Sequence, residues 1–145
     1  MLTTRTATDV DLLFLSDVFL RAMQAHITAA RGYWDEEKER RQFHEQLQLR
    51  DTRIIVHDGA DVGFFTTTES GADTELHTIC IVPEYQRQGI GSAITRQIID
   101  EDRARGRGVV LSVLKANTSA RSLYERLGFA VIEESPHHYR MRGPE

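Results

Sequence analysis

The chain has 145 residues, 40% of them hydrophobic and 28% charged, with a formal net charge of -4, a size and balance that suit one soluble domain with its own core. This excludes a multidomain assembly, a disordered or collagenous chain, and a binder that works through clustered cations on nucleic acid. The lone Cys80 allows no internal disulfide and no thiolate metal site, no apolar run reaches the roughly 18–20 residues of a membrane span, and no leader opens the sequence, so a cytoplasmic protein is expected.

Residues 2–7 read as a short strand, and Thr8 with Asp11 three positions later resembles a capping box opening a helix. Leu12, Leu13, Leu15, Phe19, Leu20 and Met23 recur at helical spacing to about Ala29. Asp35 can cap a second helix carrying Glu36/Arg40 and Glu37/Arg41 pairs, with only Phe43 and Leu47 as its apolar stripe. From Arg53 the period changes to that of strands. Ile54–Val56 and Val62–Thr68 flank a hairpin turn at Asp58-Gly59, and a further turn at 70–73 leads into a strand over 74–82, ended by Pro83.

A glycine-bearing turn, Gln86-Arg87-Gln88-Gly89-Ile90-Gly91, then opens a helix whose buried face is marked by Ile90, Ala93, Ile94 and Ile98. Val109–Leu114 is a continuous apolar strand, expected in the interior of a sheet. Asn117, Thr118 or Ser119 can cap a fourth helix with the stripe Ala120, Leu123, Tyr124 and Leu127, stopped by Gly128. Phe129–Ile132 and His138–Met141 supply two last strands. No linker or repeat appears, so residues 1–145 form one domain with an α/β fold: a mixed, mostly antiparallel central sheet of six to seven strands flanked by four helices.

The strand, Q-x-x-G-x-G turn and helix form the strongest chemical signal, because the free N–H groups of a helix's first turn, approached through glycines, can hold a diphosphate. A plain tight turn into a helix is the alternative. The Walker pattern fails, since no lysine follows Gly91, and the dinucleotide pattern fails, since Ile94 stands at the third glycine.

The segment IVPEYQRQGIGSAI followed by N-x-x-A-x-x-L-Y-E-R-L-G-F resembles the GNAT superfamily of acetyl-CoA-dependent N-acetyltransferases. The resemblance implies an acyl-CoA N-acyltransferase fold and transfer of an acetyl group from acetyl-CoA, as cosubstrate, to a primary amine by direct attack, with no metal. It implies that Arg87, Gln88, Gly89, Ile90, Gly91 and Ser92 hold the diphosphate of coenzyme A. Ile79, Cys80 and Ile81 would pair with the pantetheine arm and offer an oxyanion donor, Asn117 would touch that arm or only cap its helix, and Tyr124 would be the general acid. For the base, both Glu75 and His77 match positions where some relatives carry one; Glu75 is preferred because it can also attract a cation, and His77 is second. Ribosomal-protein N-terminal acetyltransferases share much of this motif but carry a glutamate base on the fifth strand where this chain has Ser112.

Other candidates are weaker. Tyr33 and Trp34, with His26 upstream, fall where the acceptor pocket is usually shaped. His137 and His138 lack metal-ligand spacing, and Cys80 reads as a small buried residue. Residues 51–82 carry 1 basic and 6 acidic groups, which favours a cationic acceptor, either a small-molecule amine or a peptide or protein amine; neither nucleic acid nor membrane is expected as a partner. Relatives are often dimers, and a homodimer is one assembly open to the chain. The rival reading is a non-catalytic module that binds acyl-CoA as a sensor or docking unit, and a nucleotide-binding switch through the same turn is a more distant one.

Overall fold

In chain order, the computed structural model of residues 1–145 runs β1 (Leu2–Thr6), α1 (Leu12–Arg31), α2 (Glu36–Gln46), β2 (Thr52–His57), β3 (Ala60–Ser70), β4 (Asp73–Ile81), α3 (Ile90–Ala104), β5 (Gly108–Leu114), α4 (Thr118–Arg126), β6 (Ala130–Glu134) and β7 (His138–Arg142). The strands form one seven-stranded sheet in the order β1-β2-β3-β4-β5-β7-β6. β4 and β5 pair in parallel, while β1–β2, β2–β3, β5–β7 and β6–β7 pair antiparallel. Internal packing divides the chain into two compact units, Met1–Thr66 with Thr78–Ile90, and Thr67–His77 with Gly91–Glu145. No helix is long and apolar enough to cross a membrane.

In the first unit, α1 buries Leu15 and Val18 against Ile54, Phe64 and Cys80. Leu13, read as part of the apolar stripe, is instead 69% exposed in the first turn. The capping box at Thr8 and Asp11 is present, but it closes a 3-10 turn, Asp9–Asp11, that leads into α1. Arg5 grips the buried Asp11 with both terminal nitrogens, each at 3.0 Å, and Thr8 N donates to the same carboxylate at 2.9 Å. These donors hold the Asp11 carboxyl below the usual carboxylate range, the Arg5 fork first and against the opposing effect of burial.

The polar helix α2 is capped by Asp35, which accepts from Lys38 N, and one aromatic fastens it: Phe43 stacks on Phe19 at 4.7 Å and meets Phe64 edge-on at 5.9 Å. Arg40 does not pair with Glu36 as the spacing predicts. It donates to Ser16 Oγ at 2.9 Å and to Asp17 at 3.0 Å on α1, because a partner on a packed neighbour outcompetes a pair worth a few tenths of a kcal/mol. The hairpin between β2 and β3 turns through Asp58 (φ 50°) and Gly59 (φ 84°), the left-handed pair a two-residue connection requires. Ile55 opposes Gly63 and Val56 opposes Asp61, so Val62 is the extra residue of a bulge in β3.

In the second unit, β5 lies between β4 and β7, and Val109, Val110, Leu111 and Val113 are buried, as an interior strand requires, while Ser112 within the same run is exposed. α3 turns Ile94, Thr95, Ile98 and Ile99 inward. Ala93, read as buried, is exposed, since the inward face runs one position further round the helix. Asp73 and Arg142 form a two-pronged ion pair, 2.9 Å at each prong, across β5. Gly108 lies beneath it, and a Cβ there would sit 2.8 Å from Asp73 Oδ1 and 2.9 Å from Arg142 Nη1.

Candidate active site

Pro83, which lacks an N–H for the ladder, follows β4 and opens a 3-10 turn over Pro83–Tyr85. Tyr85 N donates to Val82 O at 2.8 Å, and Gln86 N to Pro83 O at 3.2 Å. The side chains then brace the loop on its own backbone: Gln86 Nε2 donates to Ile81 O at 3.0 Å, and Gln88 Nε2 to Glu84 O at 3.3 Å. Arg87 (φ 65°) and Gly89 (φ 79°) both adopt left-handed backbone. Such geometry is strained for an arginine, and left-handed residues of this kind are among those from which concave, anion-binding runs of N–H groups are built. Residues 86–89 are exposed, and α3 begins at Ile90, so an exposed loop with two left-handed residues runs directly into a helix amino terminus.

The strand that feeds this loop is tightly seated. Gly63 of β3 has no room for a side chain, since a Cβ would collide with the Cys80 carbonyl oxygen and approach Ile81 Cα to 3.1 Å. Val82 N donates to Val62 O at 2.8 Å at the bulge. Cys80 is 3% exposed, and burial alone pushes its thiol up to about 12, a setting for packing rather than nucleophilic attack. On α1, Arg21 pairs with Glu84 at 2.5 Å. Tyr33 is exposed with the Lys38 ammonium 6.0 Å from its ring centre, while Trp34 and His26 are half-buried.

In the second unit, the parallel register runs from Asp73↔Gly108 to Leu76↔Leu111 and stops there, whereas β5 continues against β7 through Leu114↔His138. Along β4, Thr74 and Leu76 are buried and Asp73, Glu75 and His77 are not, so Glu75 and His77 share a face, as their spacing predicts. Glu75 is not a free carboxylate. Arg140 of β7 holds it at 2.7 Å and 3.1 Å, and the same guanidinium reaches Ser112 Oγ at 3.4 Å. The pair raises the Arg140 pKa, through the hydrogen bond to Glu75 first. His77 Nε2 lies 2.7 Å from Thr68 Oγ1, and its ring is exposed.

Asn117 caps α4 with its side-chain oxygen, which accepts from Ala120 N at 3.2 Å, so the amide nitrogen is the end left for a ligand. Tyr124 is 7% exposed and its ring tilts against Phe129, centres 5.5 Å apart. His137 and His138 are exposed, and nowhere do three or more His, Cys, Asp or Glu residues gather in a way that could hold a metal ion.

The acidic stretch 51–82 projects little free negative charge. Asp61 pairs with Arg5 at 3.0 Å and Asp51 lies 3.8 Å from Arg50, Asp58 meets the amino terminus and Glu69 meets Arg105, and Arg142 and Arg140 take Asp73 and Glu75. Sequence reasoning passed over three residues: Gly63, Thr68 and Arg140. A glycine inside a strand is a legible sign of close backbone approach. The other two owe their importance to partners that no local pattern reveals.

Residues 50–131 match the family model of the acetyltransferase (GNAT) domain. The chain is 37% identical over 76 residues to the [ribosomal protein bS18]-alanine N-acetyltransferase of Escherichia coli K12, covering 52% of this chain and 51% of that protein. It is 30% identical to an uncharacterised N-acetyltransferase of Methanocaldococcus jannaschii, covering 74% of this chain and 54% of that one. The chain thus spans about half the length of these curated relatives. Its fold matches the crystal structure of PaiA N-acetyltransferase from Thermoplasma acidophilum in complex with coenzyme A, with a TM-score of 0.82 and 19% identity over 100% of this chain and 99% of that one. With its motifs, its fold and more than half its length in agreement, the chain belongs to the GNAT acetyltransferase family.

Proposed function

We propose that this chain is an acetyl-CoA-dependent N-acetyltransferase that acetylates a primary amine, on a small molecule or at the end of a peptide or protein, by direct attack. The observation that carries the reading is the exposed loop before α3, where Arg87 and Gly89 adopt left-handed backbone just ahead of a helix amino terminus. The amides of residues 87–92 hold the diphosphate of coenzyme A, and the main chain of Ile79–Ile81 pairs with the pantetheine arm as an added strand would. An N–H of that segment stabilises the oxyanion, and the Asn117 amide nitrogen contacts the arm.

In the reaction, the amine nitrogen attacks the thioester carbonyl carbon and its electron pair forms the new C–N bond. The carbonyl oxygen takes the negative charge, then the C–S bond breaks and sulfur leaves with the bonding electrons. Tyr124 gives its phenolic proton to that sulfur, and the proton lost by the amine goes to the base. Of the two candidates, we assign the base to His77. Both Glu75 oxygens are engaged in a two-pronged ion pair with Arg140, whereas His77 keeps Nδ1 for this task.

Calorimetry with coenzyme A and a thiol-release assay over amines, polyamines, amino acids and peptides test the proposal. Binding of coenzyme A and amine-dependent thiol release are expected, and Tyr124→Phe should lower turnover about a hundredfold with little change in coenzyme A affinity. Binding without release for any amine would favour the sensor reading. No binding would overturn both.

A further inference from the structure

Thr68 stands outside the family motifs, yet its hydroxyl makes the one side-chain hydrogen bond to His77, at 2.7 Å between Oγ1 and Nε2. Thr68 lies on β3 and His77 on β4. A β-branched side chain is stiff about χ1, so Thr68 presents its oxygen in a narrow range of directions. With Nε2 occupied, Nδ1 is the nitrogen of His77 left to meet an incoming ammonium. It can take a proton only when the ring hydrogen resides on Nε2, since the two ring nitrogens of a neutral imidazole divide the roles of donor and acceptor.

We infer that Thr68 is a positioning residue for His77: it accepts the Nε2–H hydrogen bond, fixes the ring orientation and holds the tautomer whose Nδ1 is free to take the proton of the acceptor amine. This rests on His77 being the base. The bond serves both states of the ring. When Nδ1 gains its proton, the imidazolium still donates from Nε2 to the same oxygen, now as a charge-assisted bond, and nothing has to reorganise. The charged groups on the same face of β4 are Asp73 and Glu75, matched by Arg142 and Arg140 of β7. With each carboxylate satisfied by an arginine, neither competes with Thr68 for the imidazole.

The test compares Thr68→Val, which keeps the shape and removes the hydroxyl, with Thr68→Ser, which keeps the hydroxyl. Both are read by steady-state kinetics, by the 15N shifts of the His77 imidazole (assigned with His77→Gln) and by urea midpoint as a folding control. Thr68→Val should lower kcat roughly tenfold with the acceptor KM and coenzyme A affinity unchanged, and should shift the His77 ring from a predominant Nε2–H form to a mixture. Thr68→Ser should restore both. Unaltered 15N shifts in Thr68→Val, or equal kinetic losses in the two variants at equal stability, would overturn the role of Thr68 while leaving His77 as the base. Undiminished turnover in His77→Gln would instead remove the base assignment, and the role of Thr68 with it.

Discussion

Gly63 lies against the backbone of Cys80 so closely that any side chain at position 63 would displace the strand leading into the Arg87–Gly89 loop. Gly63→Ala should therefore cost about 1–3 kcal/mol, the usual penalty for forcing atoms into a packed interior. It should also weaken coenzyme A binding, because the pairing edge moves with the strand. Urea denaturation and calorimetry on the variant check both. An alanine variant with wild-type stability would mean that β4 has slack.

Glu75→Gln should lower stability by about 1–2 kcal/mol, since it leaves the half-buried Arg140 guanidinium without its counter-charge. Turnover should stay within about threefold of wild type, because the amide still accepts from Arg140 and the proposed base is untouched. A hundredfold loss of kcat in a folded Glu75→Gln protein would return the base to Glu75.

Asp11 makes stability depend on pH in a defined direction. Its carboxyl titrates below the usual range of about 3.9 because Arg5 and Thr8 N bind the ionised form. The stabilisation is therefore fully present above the unfolded-state value and is lost as pH falls through the lower folded-state one. Asp11→Asn should cost about 2 kcal/mol at neutral pH, and the difference from wild type should shrink below about pH 4. Urea midpoints of the two proteins between pH 3 and 7 measure it; a constant gap would show that Asp11 acts through packing alone.

Cys80 should resist thiol reagents in the folded protein, since burial both shields it and raises its pKa to about 12. Labelling with a coloured disulfide reagent should be slow in buffer and rapid in denaturant. Fast labelling of the native protein would show that β4 opens readily.

Most of the architecture is legible in the sequence, because it rests on local chemistry. The Asp58-Gly59 turn, the Asp35 and Asn117 caps, the proline after β4 and the apolar run of β5 each announce an element within a few residues of themselves. The glycine turn and the Tyr124 helix are legible for the same reason, as contiguous motifs. What escapes is set by tertiary choice. Arg40 has an acceptable partner one turn away and takes another 23 residues distant. Glu75 stands where the family resemblance implies a base, and only the fold shows that an arginine 65 positions later has claimed it. Charge summed over residues 51–82 misleads likewise, for it counts carboxylates without their counter-ions.

The bare hydrogen of Gly108 beneath the Asp73–Arg142 pair bears on how the sheet finds its alignment. Were β5 to slide by one position in either direction, the Arg107 or Val109 side chain would meet the ends of the Asp73 and Arg142 side chains and push them aside. The two prongs could then no longer close. The bridge thus proofreads assembly, rewarding only the register in which the smallest residue passes underneath.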